Sequence, residues 1–260
     1  MEQLFGICRV SVAPMRFEPS DKAENASQLL FGDFVEILDS QERWWYIRTS
    51  FDHYEGWVDF RQLILVSEEE YVSGKQIKHL APPQPLNMLT DSLGNRLYLS
   101  PASNLPAFTD GFCLLGNQKY EVSFQPKTFD FTDIDSLIST ALFYLNTPYL
   151  WGGRTFFGID CSGFVQNVFK LNGIELKRDA WQQAEQGSTV DFLQEVRAGD
   201  VAFFDNDEGR ITHVGIMLNT TQIVHASAKV KIDPIDTQGI FSNELGKYTH
   251  KLRIIKRFID

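Results

Sequence analysis

The sequence predicts an α+β domain with an antiparallel sheet, preceded by two small all-β modules of barrel type. Three observations carry this reading. The first half is a series of short aromatic and β-branched runs with no sustained 3.6-residue apolar period. Two amphipathic helical stretches follow from Thr132, and after Val196 the pattern returns to strands.

The elements support it in chain order. "FVEILD", "WWYIRTS", "EGWVDF" and "LILVS" are strand-like runs separated by turn formers, at spacings typical of a small barrel, and define a first module over residues 1–67. The polar "VSEEEYVSGKQ" reads as a joint between modules. "HLAPPQPL" is too rich in proline for a central strand or helix. "RLYLSP", "GFCLLG" and "QKYEVSF" then make a second module over 68–126. In "TDIDSLISTALFYLN" apolar residues at 134, 137, 138, 141, 142 and 145 form a helical stripe, with Thr132 as N-cap and an acidic first turn. "DCSGFVQNVFKLNG" is a second helix, with Phe164, Val165, Val168, Phe169 and Leu171 on its apolar face and Asn172-Gly173 as its stop. "DVAFFD", "THVGIML", "QIVHAS" and "KLRIIKRFI" are strands, which completes a third domain over 127–260.

Composition bounds the function. Of 260 residues, 43% are hydrophobic and 13% aromatic, enough for packed cores. The net charge of −10 divides unevenly: 10 basic against 17 acidic residues in 1–125 (−7), and 14 against 17 in 126–260 (−3). Neither half carries the basic footprint of a nucleic-acid binder, and the acidic front half suits cations or free amines. The three cysteines, Cys8, Cys113 and Cys161, are odd in number and widely spaced, which suggests a reducing compartment or at most one bridge. The N-terminus has no leader pattern, and no apolar run approaches the roughly 18 residues of a membrane span. A cytoplasmic monomer without membrane partner or cofactor is expected; a periplasmic or secreted form is the alternative if a leader has been removed.

Cys161, read alone, is either an inert buried thiol or a nucleophile. With Asp160 as N-cap it occupies the first helical position, where free N–H groups and the helix dipole lower a thiol pKa and can hold an oxyanion. Ser162 and Gly163 are small enough for a substrate backbone to approach. A thiolate nucleophile needs a base. Of His53, His79, His213, His225 and His250, only His213 and His225 sit inside apolar strands, where an unbonded imidazole is costly. With "NTTQ" as the turn they share a face if the loop has odd length. His213 would then take the thiol proton and His225 would fix its tautomer. Two satisfied core histidines, or a zinc site lacking the usual close ligand pairs, are the other readings; no metal is expected. Tyr149 and Trp151 in "TPYLWGG" either serve the site, Tyr149 as an extra oxyanion donor, or simply pack. Arg154 and Arg178 suit a carboxylate, or are solvated loop residues.

"YLWGGRTFFGIDCSGFVQNVF", "RAGDVAFF", "ITHVGIML" and "IVHAS", in this order over roughly 130–260, resemble the NlpC/P60 cysteine peptidases. The resemblance implies a papain-like α+β fold, cleavage of murein peptides, Cys161 as nucleophile, His213 as base, His225 as third polar residue and Tyr149 near the oxyanion. "PMRFEPSDKAENASQLLFGDFVEIL" with "WWYIRTSFDHYEGWVDFRQL", and then "YLSPASNLPAF", resemble two bacterial SH3 modules. That layout is similar to the γ-D-glutamyl-L-diamino acid endopeptidases. It implies hydrolysis of the γ-D-Glu–diamino acid bond, with lysine or diaminopimelate, in peptides with a free N-terminal L-Ala, as in cell-wall peptide recycling. Tyr54, Glu18 or Glu24, and Asp160 would hold the ammonium, and Ser162 would contact the D-Glu, with Trp151 lining the site. Ala180 stands where related sequences often carry a substrate-contacting serine, so Arg178 or a backbone N–H would replace that contact. The rival readings are a wall-binding module with a degenerate catalytic domain, and a papain-like amidase or acyltransferase.

Overall fold

The structure, a computed structural model, describes residues 3–76, 78–131 and 133–259. The chain forms two compact units. The first holds Met1–Asp130 and Trp151–Thr155, the second Phe131–Leu150 and Phe156–Asp260.

In the first unit, β1 (Leu4–Cys8), β2 (Val12–Arg16), β3 (Asn25–Leu30), β4 (Phe34–Gln41), β5 (Trp44–Thr49), β6 (Glu55–Asp59) and β7 (Leu63–Val66) form one antiparallel sheet in the order β3-β2-β6-β5-β4-β1-β7. Alternation places Ala13, Met15, Val35, Ile47 and Val58 in its core. The polar joint is a helix, α1 (Glu68–Gly74). Ser67 and Glu70 close a capping box at its start, and Tyr71 is its buried contact. After β8 (His79–Leu80), a second sheet of β9 (Asn87–Asp91), β10 (Arg96–Leu99), β11 (Phe112–Leu115) and β12 (Gln118–Val122) runs β10-β9-β12-β11, and β13 (Lys127–Thr128) pairs with β8. Phe5, Phe31, Phe34 and Tyr71 share one core with Leu89, Leu99, Leu115 and Val122, so the two sheets are packed together and not strung apart.

In the second unit, α2 (Ile134–Phe143) is capped by Asp133, whose carboxylate accepts from the Ser136 N–H at 2.6 Å. Thr132, expected to be the cap, lies outside the described residues. Two short strands, β14 (Arg154–Thr155), which belongs to the first unit, and β15 (Gly158–Ile159), lead to α3 (Cys161–Lys170). The sequence predicts an amphipathic α3, yet all ten of its residues are buried. Gln166 Nε2 finds a partner inside, donating to Leu176 O at 3.0 Å. After α4 (Ala180–Gln183) come β16 (Ser188–Val190), β17 (Val201–Asp205), β18 (Ile211–Asn219), β19 (Gln222–Ser227), β20 (Lys229–Pro234), β21 (Gly239–Ser242) and β22 (Lys247–Arg257). They form an antiparallel sheet in the order β16-β22-β17-β18-β19-β20, with β21 on β22. No helix among the described residues is long and apolar enough to cross a membrane.

Candidate active site

Asp160 caps α3 as expected, accepting from the Gly163 N–H at 2.6 Å, and this sets Cys161 at the first helical position. Its sulfur is hydrogen-bonded by the backbone of Val214, the neighbour of His213 on β18. The thiol is nevertheless not depressed. Burial pushes it up to about 12, and the negative charge of Asp160 adds to the rise; the Val214 and Ser162 backbone contacts and the Arg178 charge oppose it without prevailing. The expected fall in pKa is therefore reversed in the unliganded protein, because desolvation outweighs a half-charge of helix dipole. All three cysteines are free and buried.

His213 and His225 do meet. His213 Nε2 lies 2.9 Å from His225 Nδ1, and His225 Nε2 lies 3.2 Å from Asp233 Oδ2. The expected odd-length loop is absent. Asn219 pairs with Gln222 across a two-residue turn, and a bulge between Met217 and Asn219 shifts the ladder so that Gly215 faces His225. His213 thus lies diagonal to His225 on the same face. On the other side of β19, His225 pairs with Lys231, which puts Asp233 diagonal to it as well.

Asp233 carries no sequence signal of its own, and it decides the proton positions. Burial works against its charge, but hydrogen bonds from His225 and Lys231 hold its carboxyl below the usual range, so it accepts. His225 Nε2 then carries the proton and Nδ1 is the acceptor. His213 Nε2 must donate to it, which leaves the His213 Nδ1 lone pair free to act as a base. Burial, then repulsion from His250 and His225, keeps His213 well below the ordinary imidazole range and therefore neutral.

His250 is a second residue that the sequence does not single out. It stacks on His213 with ring centroids 3.9 Å apart and 25° between planes. Ring nitrogens of His213, His225 and His250 come within 4.8 Å of one another, the spacing of a three-histidine metal site. The near-parallel His213 and His250 rings, however, aim their in-plane lone pairs alongside each other, and the facing nitrogens of His213 and His225 are engaged in their own bond. The arrangement is a proton relay with a stacked neighbour rather than a convergent ligand set.

Arg178 is 1% exposed, unlike a solvated loop arginine. Its guanidinium donates to Asp160 Oδ1 at 3.1 Å, Asp160 Oδ2 at 2.6 Å and Ser162 Oγ at 2.9 Å. Gln183 Nε2 donates to Ser162 O at 3.1 Å, and Ala180 opens the same short helix α4. The beginning of α3 is thus held by Arg178 and Gln183. Tyr149 is half-buried; burial raises its phenol pKa, and the charges of Cys161 and Asp160 raise it further. Tyr54, Glu18, Glu24 and Trp151 all lie in the first unit. Tyr54 packs on the core of the seven-stranded sheet, Glu18 and Glu24 are exposed, and Trp151 is 58% exposed.

Residues 146–248 match the profile of the NlpC/P60 family, and residues 15–63 match that of the bacterial dipeptidyl-peptidase Sh3 domain. The chain is 29% identical to the dipeptidyl-peptidase 6 of Lysinibacillus sphaericus over 87% of its own length and 90% of that protein's. It is 27% identical to a γ-D-glutamyl-L-lysine dipeptidyl-peptidase of Bacillus cereus, over 85% and 73% respectively. A Bacillus subtilis protein of the same name is 41% identical over 43% of this chain, a stretch that spans 38% of that protein. The crystal structure of an NlpC/P60 family protein from Bacillus cereus superposes with a TM-score of 0.83, covering 98% of this chain and 100% of the other at 22% identity.

Proposed function

Since the chain carries an NlpC/P60 cysteine peptidase domain behind a bacterial SH3 domain, we propose that it hydrolyses the γ-D-Glu–diamino acid bond of murein peptides that begin with a free L-Ala. The observation that carries the reading is the relay from Asp233 through His225 to His213, one residue from the backbone that bonds the Cys161 sulfur. The names of the relatives from Bacillus and Lysinibacillus support the substrate class.

The steps follow from the proton positions. The Cys161 S–H proton passes to His213 Nδ1 as the sulfur attacks the γ-carbonyl carbon of D-Glu. The developing oxyanion is met by N–H groups at the start of α3 and by the Tyr149 hydroxyl. Collapse breaks the C–N bond, and His213 returns its proton to the leaving amine of the diamino acid. Water then attacks the thioester, gives a proton to His213, and L-Ala-γ-D-Glu leaves as the Cys161 thiol reforms. His225 and Asp233 keep His213 in the productive tautomer throughout, and Asp233 offsets the imidazolium charge. Both substrate types, lysine and diaminopimelate, fit this chemistry, because the bond broken is the same. The free amine suits the acidic character of the sequence's first half. Asp160 can also accept from an ammonium, but it does so while already paired with Arg178. A free L-Ala amine arises once the peptide has been cut from the glycan, which supports a place for the reaction in cell-wall peptide recycling.

The test is to incubate the protein with L-Ala-γ-D-Glu-L-Lys, its diaminopimelate counterpart and the N-acetylated forms, and to follow release of L-Ala-γ-D-Glu. Release from the free peptides alone, abolished in Cys161→Ala, is the expected result. No cleavage, or equal cleavage of free and acetylated peptides, would overturn the proposal.

A further inference from the structure

His250 lies on β22, two strands from His213 in the sheet, with β17 between them. Its ring reaches across to cover one face of the His213 ring at 3.9 Å, while Phe204 stands at 5.7 Å from His213 and 6.0 Å from His250. His225 approaches both rings nearly at right angles. His213 therefore has one edge bonded to His225 and one face covered by His250. His250 itself is anchored, with Nδ1 2.9 Å from Thr249 Oγ1. A single hydrogen bond at Nε2 leaves His213 free to pivot about that bond; a ring stacked on its face removes the pivot.

We propose that His250 is a positioning residue for the reaction, acting through His213. Its neutral imidazole face fixes the plane in which His213 presents Nδ1 and stabilises the imidazolium that forms in each half-reaction. This rests on the peptidase reading above. An aromatic face held against a forming cation is attractive, whereas a second cation in the same place is repulsive. The stack therefore works only while His250 is uncharged, and its surroundings favour that state. Burial, then the charges of His225 and Lys231, bring His250 down to about 4, with Asp233 pulling the other way. Around it, β18 contributes His213, β19 His225, and β20 Lys231 and Asp233. β21 offers no titratable side chain opposite it, and Asp205 of β17 is engaged by Lys251 and Arg253.

Two substitutions separate positioning from simple packing. His250→Ala removes the stacked ring, and kcat should fall about 10- to 100-fold with KM little changed. His250→Phe keeps the ring without the charge; it should recover most of kcat and move the acid limb of the kcat/KM profile to lower pH. Wild-type kinetics and pH profile in His250→Ala, or a His250→Phe no better than His250→Ala, would overturn the assignment. Independently of any substrate, the imidazole resonances of His213 can be titrated by NMR in the three proteins. His213 should titrate lower in His250→Ala than in wild type or His250→Phe; identical titration in all three, or a higher value in His250→Ala, counts against the stack as a determinant. If the wild type cleaves none of the peptides, the peptidase reading fails, and the titration still decides the role of His250.

Discussion

Asp233 shows how one carboxylate can set the chemistry of two rings it does not share a strand with. A negative oxygen at His225 Nε2 forces a proton there, and the constraint passes through the 2.9 Å contact to His213. Asp233→Asn keeps the shape and removes the charge, so either tautomer of His225 becomes tolerable and the wrong one makes His213 Nδ1 a donor. The expected outcome is a drop in kcat of about 10²-fold with KM nearly unchanged and the melting temperature within a few degrees of wild type. Steady-state kinetics and a thermal melt check it, and an unchanged kcat would remove Asp233 from the relay. The pairing of His213 and His225 is legible in the sequence because an imidazole inside an apolar strand demands a partner. Asp233 and His250 are not, because "KVKIDP" and "KYTHKLRIIKR" alternate polar and apolar residues like any half-exposed strand. What singles them out is a diagonal cross-strand position and a ring reaching over an intervening strand, and neither is written locally. The thiol misleads in the other direction. Its helix-start position is a local signal, but the degree of burial that governs its pKa is a property of the folded unit.

At the scale of the element, the β18–β19 hairpin carries the site. The rule that two histidines share a face only with an odd loop assumes a regular ladder. Here the turn is even and one bulge, at Leu218, restores the parity. A bulge leaves little trace in sequence, so the register follows from sequence only as a condition. Gly215 is part of the same device. It lies opposite His225, and a Cβ there would come within 2.8 Å of His225 Cβ and 2.8 Å of Ile223 Cδ1. The isoleucine tip can move; the histidine Cβ is fixed to a central strand. Gly215→Ala should therefore push His225 off His213, lowering kcat at least about tenfold and costing about 1–3 kcal/mol of stability through overpacking. Kinetics with urea denaturation would show both effects, and a fully active, equally stable variant would mean that the relay tolerates a shift of this size. By contrast, the start of α3 can be read directly, since Asp160, the small residues after it and the Asn172-Gly173 stop are all local signals.

At the scale of the whole molecule, the sequence suggests three successive segments, whereas contacts group Trp151–Thr155 with the first 130 residues. The chain leaves the second unit after Leu150 and returns at Phe156, on its way to Cys161. The reason lies in one buried cation. Arg154 is 2% exposed; its Nη1 donates to Gln28 O at 2.8 Å and to Asp33 Oδ2 at 3.2 Å. Its backbone N–H donates to Gln28 Oε1 at 2.7 Å, and Asn25 Nδ2 donates to Trp151 O at 3.1 Å. Gly152, at φ +71°, passes so close to Asn25 that a Cβ would sit 2.6 Å from its carbonyl oxygen. None of this can be read from "LWGGRTFF", because the partners lie more than 120 positions earlier. Asp33 is also held by the Leu30 N–H and by Asn104 Nδ2, both at 2.9 Å, so one carboxylate ties the first sheet, the region of the second and the returning segment. Removing Arg154 alone leaves that buried carboxylate without its cation, at a cost of about 3–5 kcal/mol. Arg154→Met should accordingly lower the urea midpoint strongly, while the double variant Arg154→Met with Asp33→Asn should recover more than half of the loss. Strict additivity of the two substitutions would mean that the pair does not interact, since a coupled buried pair is cheaper to remove together than to break.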